Sequence, residues 1–409
     1  MRSCTKAFSV LITVLTMGLA ACGSGDGPNP TPTPTPEPTP LVLNFGTPET
    51  TDAGTVPSKA QALYVGNLTA DDNLDFAVLN GTVGVFVGNG DGTFDPRQDA
   101  TSLDNGTSAL AAGEFAYANV DLVASFSALN DFDVFFDPDQ NGSYAGEGPF
   151  DGGVGPEGVA VADFDGDGDD DVALPGSDGN LYLRIHNGGL VFNPFSFPSG
   201  GALTNPRNLV PADFDEDGRA DVAIADFGGD RITVWLNSAD ANPAFLFPAS
   251  NATSLDLPAG SGVQGVTAAD LDEDGDFDII AANPTPDNIS VFLNNGDGSF
   301  SAKVDYPAGQ DAFATAVGDF NLDGNPDIVV VNAFGVDGIN GDFCVYLGNG
   351  DGSFDAPETF TAGVDGLAQP NHPRSVAVGD FNEDGKPDLV FANSPGDSVT
   401  VVLNTSAQP

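Results

Sequence analysis

One acidic nine-residue segment recurs five times along the chain, and nothing else in the sequence restricts the fold so tightly. From Val159 the chain reads VAVADFDGDGDDDVALPG, and the pattern returns as LVPADFDEDGRADVAIAD, VTAADLDEDGDFDIIAAN, TAVGDFNLDGNPDIVVVN and SVAVGDFNEDGKPDLVFAN. Each copy has an alternating apolar run, the acidic loop, a second run of Val, Ile, Ala and Leu, and a turn rich in Gly, Asn, Pro or Asp. A third apolar run follows, as at residues 289–293. In three units an Asn-Gly-Asp-Gly turn then supplies the positive φ angles of a tight hairpin, at residues 89–92, 295–298 and 349–352. A short fourth run closes the unit. Four antiparallel strands joined by short loops make one propeller blade, so an all-β propeller is expected.

Two earlier units are weaker. Residues 63–80 keep the length but carry Asn67 and Thr69 in place of aspartates and Asp72 in place of the loop glycine, and residues 110–126 have a shorter loop without the acidic pattern. Anchored on the last loop aspartate, the units fall at Asp75, Asp121, Asp171, Asp221, Asp278, Asp327 and Asp388, which predicts seven blades. The last unit stops after its third strand. Near the start, NFGTPETTDAG (residues 44–54) is similar to SFDAPETFTAG (residues 353–363), the fourth strand of the sixth unit. The chain start is therefore expected to supply the missing outer strand and lock the ring, hiding edges open to aggregation.

The acidic loops have the chemistry of calcium sites. In the first of them carboxylates stand at positions 1, 3, 5 and 9 (Asp163, Asp165, Asp167, Asp171), with Gly168 at position 6 where a sharp turn is needed. Side chains at 1, 3 and 5 and the carbonyl at 7 bind calcium in EF-hand loops, and here the position-9 aspartate would complete the shell. The same ligands recur as Asp213, Asp215, Asp217 and Asp221; Asp270, Asp272, Asp274 and Asp278; Asp319, Asn321, Asp323 and Asp327; and Asp380, Asn382, Asp384 and Asp388. Position 7 is Asp169, Arg219, Asp276, Asn325 or Lys386, a tolerance of charge that a backbone carbonyl ligand predicts. About five Ca2+ sites follow. A weak sixth is placed at Asn67, Thr69, Asp71 and Asp75.

The N-terminus is a separate device. Residues 1–21 carry Arg2 and Lys6, then an apolar run, and read as an export signal. The run Leu19-Ala20-Ala21-Cys22 resembles the lipobox of bacterial lipoproteins, which implies lipidation of Cys22 and a place in the bacterial cell envelope, with secretion as the alternative. Alternating prolines up to Pro40 favour an extended polyproline II linker, about 40 Å over thirteen residues. The propeller then occupies residues 41–409. Of the remaining cysteines, Cys344 sits in an alternating segment and is expected to be a buried small hydrophobe. The formal net charge of −49, from 60 acids against 11 Lys and Arg, excludes nucleic acid as a partner and leaves the lipid as the only tie to a membrane. The five intact loops hold 24 of those acids, so metal binding accounts for the densest acidity but not for most of it.

Together the loops and hairpins closely resemble the bacterial FG-GAP and VCBS repeat family, whose relatives include the calcium-bearing propeller of integrin α-subunits. The likeness covers about residues 42–404, and since the second unit departs from the pattern no calcium is carried over there. It implies a ligand on the face away from the acidic loops. Irregular segments expected on that face are residues 333–342, 249–262 and 363–373, and Arg207 and Arg374, each after a proline, are candidate ligand contacts together with His372. His186 is expected to face solvent and Trp235 to pack inside. No GxSxG, HExxH or phosphate loop is present. The sequence thus reads as a monomeric, non-enzymatic binding or adhesion module for a glycan or an extracellular protein. A calcium-assisted lyase acting on polysaccharide and an envelope scaffold are the alternatives.

Overall fold

The computed structural model describes residues 42–407 except 48, 53–61, 101–107, 116–119, 138, 239–241, 336–340, 363–371 and 395–397. The export signal, Cys22, the proline linker, and residues 336–340 and 363–371 of the segments 333–342 and 363–373 lie outside the described residues.

Seven four-stranded antiparallel sheets follow one another around a ring. Blade 5 is representative, with strands Gly265–Ala269, Asp278–Asn283, Asn288–Phe292 and Val304–Pro307. First strands of neighbouring blades touch one another and line the central channel. Second strands are buried along their length, save for Phe334 at the end of the blade 6 strand, which explains their unbroken apolar runs. The core is divided into seven apolar clusters, each shared by two adjacent blades, and the seventh joins blade 7 to blade 1. Closure is therefore a packing fact and not only a count of strands.

The chain start completes blade 7 as expected. Strand Glu49–Asp52 pairs antiparallel with Ser398–Val402, with Glu49 opposite Val401 and Asp52 opposite Ser398. Ahead of it, isolated bridges join Val42 to Ala407 and Phe45 to Asn404. Phe45 enters the seam between blades 6 and 7, with ring centroids 5.2 Å from Phe343 and 5.0 Å from Phe360.

Two packing expectations hold and two others are corrected. Trp235 is fully buried and its indole N–H donates to the Pro248 carbonyl at 2.8 Å. Cys344 is buried, and that burial pushes its thiol pKa up. His186, by contrast, is 3% exposed, with its ring 5.5 Å from both Phe115 and Phe192. It ends a third strand at a place where side chains turn toward the preceding blade, not toward solvent. Residues 249–262 are likewise no insertion: Ala252–Asp256 is the outer strand of blade 4, paired with Arg231–Trp235. The extra residues of that blade come before it, around the short helix Pro243–Phe245, and they deliver Phe247 to the core between blades 3 and 4.

Candidate metal centres and channel mouth

Antiparallel order puts the first-to-second and third-to-fourth strand connections on one face of the ring, and the remaining loops on the other. The acidic loops occupy the first of these faces. Their backbones are folded alike by side chains acting on nearby N–H groups. The position-1 carboxylate accepts from the N–H of the glycine at position 6, at 2.9 Å for Asp163, 2.8 Å for Asp213, 3.1 Å for Asp270, 2.9 Å for Asp319 and 2.8 Å for Asp380. Position 5 accepts from the N–H of position 7 in all five loops, at 2.9–3.0 Å. The glycine has φ between +84° and +103°, which is why no other residue type stands there.

This folding gathers the acids. One carboxylate oxygen from each of Asp163, Asp165 and Asp171 lies within 4.8 Å of the others, and the same holds for Asp213, Asp215 and Asp221 and for Asp270, Asp272 and Asp278. At that separation and an effective dielectric of about 20, each pair of charges repels by about 3 kcal/mol. Burial pushes the position-3 acids Asp165, Asp215 and Asp272 above the usual carboxylate range, with the neighbouring acids adding to the effect. Oxygens of Asp215, Asp270 and Asp272 are buried without a hydrogen-bond partner among the described residues. An all-oxygen set with unsatisfied acceptors fits a hard divalent cation such as calcium. Blades 6 and 7 have Asn321 and Asn382 at position 3, so fewer charges converge there. Arg219 and Lys386, at position 7, pair through their side chains with the position-5 acids Asp217 and Asp384.

The position-9 aspartate has a second role that sequence reasoning missed. All seven, from Asp75 to Asp388, are completely buried. Asp278 accepts from the N–H of Leu271 and of Asn294, both at 2.8 Å, and so ties the loop to the end of the third strand. Asp75, Asp171, Asp221, Asp327 and Asp388 repeat this link. In blade 2, where the metal pattern is lost, Asp121 still accepts from Phe115 N–H at 2.8 Å. The strut thus outlasts the site, which explains why this aspartate is the one acid present in every unit. Asp121→Ala is expected to cost about 1–3 kcal/mol by stranding a buried N–H, equally with and without calcium. Asp272→Asn should lower the melting temperature only in calcium. Scanning calorimetry of both variants in calcium and in chelator checks the contrast.

Burial raises the pKa of Asp171 to about 8, and those of Asp221, Asp278, Asp327 and Asp388 to about 7. An unfolded aspartate loses its proton near pH 4, so between about pH 4 and 8 the metal-free folded chain holds more protons than the unfolded one. Its stability must therefore fall as pH rises through that window. Calcium needs the ionised form, so its stabilisation grows over the same range. The gap in melting temperature between calcium and chelator should be small at about pH 5.5 and wide at about pH 8. A gap independent of pH contradicts this assignment.

The loops are also stapled from blade to blade. Asn237 in blade 4 donates to the Phe164 carbonyl at position 2 of the blade 3 loop, at 2.8 Å. Asn294 reaches Phe214 at 2.9 Å and Asn404 reaches Phe320 at 2.9 Å in the same way. In blade 2 the Tyr144 hydroxyl takes over, 3.2 Å from the Leu68 carbonyl. His186 stands at the equivalent place in blade 3 and meets the Phe115 ring, hence its burial. Position 2 itself, always Phe or Leu, is buried in every blade. Blade 2 carries one more loop of this geometry, between its third and fourth strands. Asp137 accepts from Asn141 and Gly142 N–H at 2.6 Å, with Gln140 and Gly142 at positive φ. Its position 9 is Ala145, so it lacks the closing carboxylate and no metal is assigned to it. The weak sixth loop in blade 1 keeps its strut, with the Thr69 hydroxyl 3.1 Å from Asp75.

On the opposite face a cavity of about 450 Å³ opens at the channel mouth and takes residues from all seven blades. Arg207 and Arg374 both line it. Arg207 contacts Glu157 at 3.2 Å and lies over the Phe227 ring; Arg374 approaches Asp311 at 3.5 Å and lies over Phe313. His372 packs against Phe334 with the two rings tilted at 55° and centroids 4.5 Å apart.

A family described as the FG-GAP-like repeat matches residues 163–224, 213–281, 271–330 and 332–391. No curated protein matches. Among solved structures, BBS1N in complex with ARL6DN, soaked with mercury, is similar at a TM-score of 0.56 and 11% identity over 90% of this chain and 97% of that one. The same complex soaked with lead gives 0.56 and 11% over 90% and 99%. At that identity the likeness speaks for the fold alone.

Proposed function

The chain belongs to the FG-GAP-like repeat family, and on that premise we propose that it is a calcium-stabilised, non-enzymatic binding module whose ligand seats at the channel mouth. The observation that carries this reading is the cavity of about 450 Å³ built by all seven blades, on the face free of acidic loops. Calcium would be held by the three clustered loops first, with Asn321 and Asn382 replacing a carboxylate in two more. Its contribution is to neutralise acids that otherwise repel, so that the rim of each blade stays ordered while the opposite face is free to bind. Ligand size fits a short glycan segment or a protruding loop of an extracellular protein better than a flat protein surface.

A lyase reading needs a base placed against a sugar ring. Of the two histidines, His186 is buried among phenylalanines and His372 packs against the Phe334 ring, which favours binding over catalysis. Cys22 would anchor a monomer to the bacterial envelope through lipid and the proline linker. Glycan arrays probed with the calcium-loaded domain, with Arg207→Gln/Arg374→Gln as control, test the reading. Binding that the double variant loses at unchanged melting temperature supports it. Equal binding by both proteins moves the site elsewhere, and growing ultraviolet absorbance on uronate polymers, from an unsaturated product, refutes the binder-only function.

A further inference from the structure

Three first strands are interrupted at the channel mouth in the same manner. The register of blade 4 skips between Pro206 and Asn208, that of blade 7 between Pro373 and Ser375, and that of blade 6 between Ala312 and Ala314. A bulge releases one residue from the ladder and re-aims its side chain. The residues released are Arg207, Arg374 and Phe313, and all three line the cavity. Arg207 and Arg374 are the only arginines or lysines, among the described residues, that do so. In a chain of net charge −49 the fold has thus spent two backbone irregularities on bringing cations to one cavity.

Resting on the channel-mouth reading above, we infer that the ligand presents two carboxylates, one to Arg207 and one to Arg374. Each guanidinium touches its acid through Nη1 only, at 3.2 Å from Glu157 and 3.5 Å from Asp311. A guanidinium has five N–H donors in a planar fork; Arg207 Nε is buried, so its terminal Nη1 and Nη2 donors are the ones left for a ligand carboxylate, and Arg374 likewise keeps donors beyond its single contact. Placement over the Phe227 and Phe313 rings, 5.1 and 4.3 Å from their centroids, restrains the two guanidinium groups beforehand, which lowers the ordering cost of binding. Blades 4 and 7 are three apart in a ring of seven, so the two forks face the cavity from well-separated sides. Each fork then takes its own carboxylate. Between them Asn208, Gln264 and Ser375 offer uncharged donors and acceptors for the middle of the ligand. The volume limits that ligand to the size of a metabolite or a disaccharide segment.

The chemistry is shared by free dicarboxylates and by paired uronic acid residues, and titration calorimetry on the calcium-loaded full chain separates the two. The probes are α,ω-dicarboxylates of increasing length, their diamides, a di-uronide and its neutral disaccharide counterpart. A dicarboxylate or the di-uronide should bind with an optimum length, and its neutral counterpart at least tenfold more weakly. Arg207→Gln and Arg374→Gln should each cost tenfold or more at unchanged melting temperature, and Arg207→Lys, which keeps charge but loses the fork, should not restore binding. The inference is overturned if no diacid binds, if the neutral probes bind as well, or if the variants bind like the parent. The last result, combined with array binding that these variants also retain, would remove the channel-mouth reading too. A neutral glycan bound in the array and lost in the variants would leave that reading standing without the diacid.

Discussion

A chain lacking residues 42–52 is expected to lose its monodisperse folded state. Those residues give blade 7 its fourth strand, with Glu49 to Asp52 paired to Val401 through Ser398. They also hold the C-terminus by bonds from Val42 N–H to the Ala407 carbonyl at 3.0 Å and from Thr405 N–H to the Asn44 carbonyl at 2.8 Å. Without them the edge of Ser398–Val402 is open to pairing with another chain. Leu43 and Phe45 would go as well, and both belong to the apolar cluster between blades 6 and 7. Phe45→Ala alone, with the strand intact, should cost about 3 kcal/mol, the lower end for a phenylalanine that is only part-buried. Size-exclusion chromatography and calorimetry of the two variants form the test. A truncated chain that runs as a monomer and melts unchanged would show that the ring does not depend on this closure.

Calcium should raise the melting temperature by more than 10 °C. A ligand present at a hundred times its dissociation constant stabilises by about 2.7 kcal/mol per site, so three clustered loops contribute about 8 and five about 13 kcal/mol. A domain of roughly 350 residues has an unfolding entropy near 0.7 kcal/mol per kelvin, which converts these to rises of about 11 and 18 °C. The size of the shift therefore reports how many loops are filled. The asparagine staples bear on its shape, because each loop is bonded to the next blade through Asn237, Asn294 or Asn404. Asn294→Ala should both lower the calcium-loaded melting temperature and broaden the transition, since blades 4 and 5 would then melt less cooperatively.

Most of the architecture could be read from the chain because each blade repeats one pattern of apolar runs and turns, and because strand pairing follows that period. The closing strand was legible from a single likeness between residues 44–54 and 353–363. What the sequence hid were residues with two jobs. An aspartate at position 9 looks like a ligand, and the hydrogen bond that Asp121 accepts from Phe115 N–H in blade 2, where the metal pattern is lost, reveals the strut beneath the site. His186 looked exposed because it precedes a glycine turn, whereas its side chain occupies the staple position that faces the neighbouring blade. Blade 4 lacks the Asn-Gly-Asp-Gly turn, so its outer strand at Ala252–Asp256 passed for an insertion. The loop at Asp137 carries the Asp-x-Asp-x-Asn-Gly signal in plain view, but one connection later than the repeat leads a reader to look. Arg207 and Arg374 were legible as a pair; the bulges that aim them were not, since a register skip leaves no mark in composition or period.

If the acidic loops are calcium sites, the chain must hold a countable number of ions, and counting them tests this directly. Equilibrium dialysis of the chelator-stripped chain against calcium near neutral pH, read by atomic emission, should give at least three tightly held ions per chain, and one fewer after Asp272→Asn. A chain that retains no calcium above the dialysis background, or an Asp272→Asn variant that binds as many ions as the parent, would contradict it.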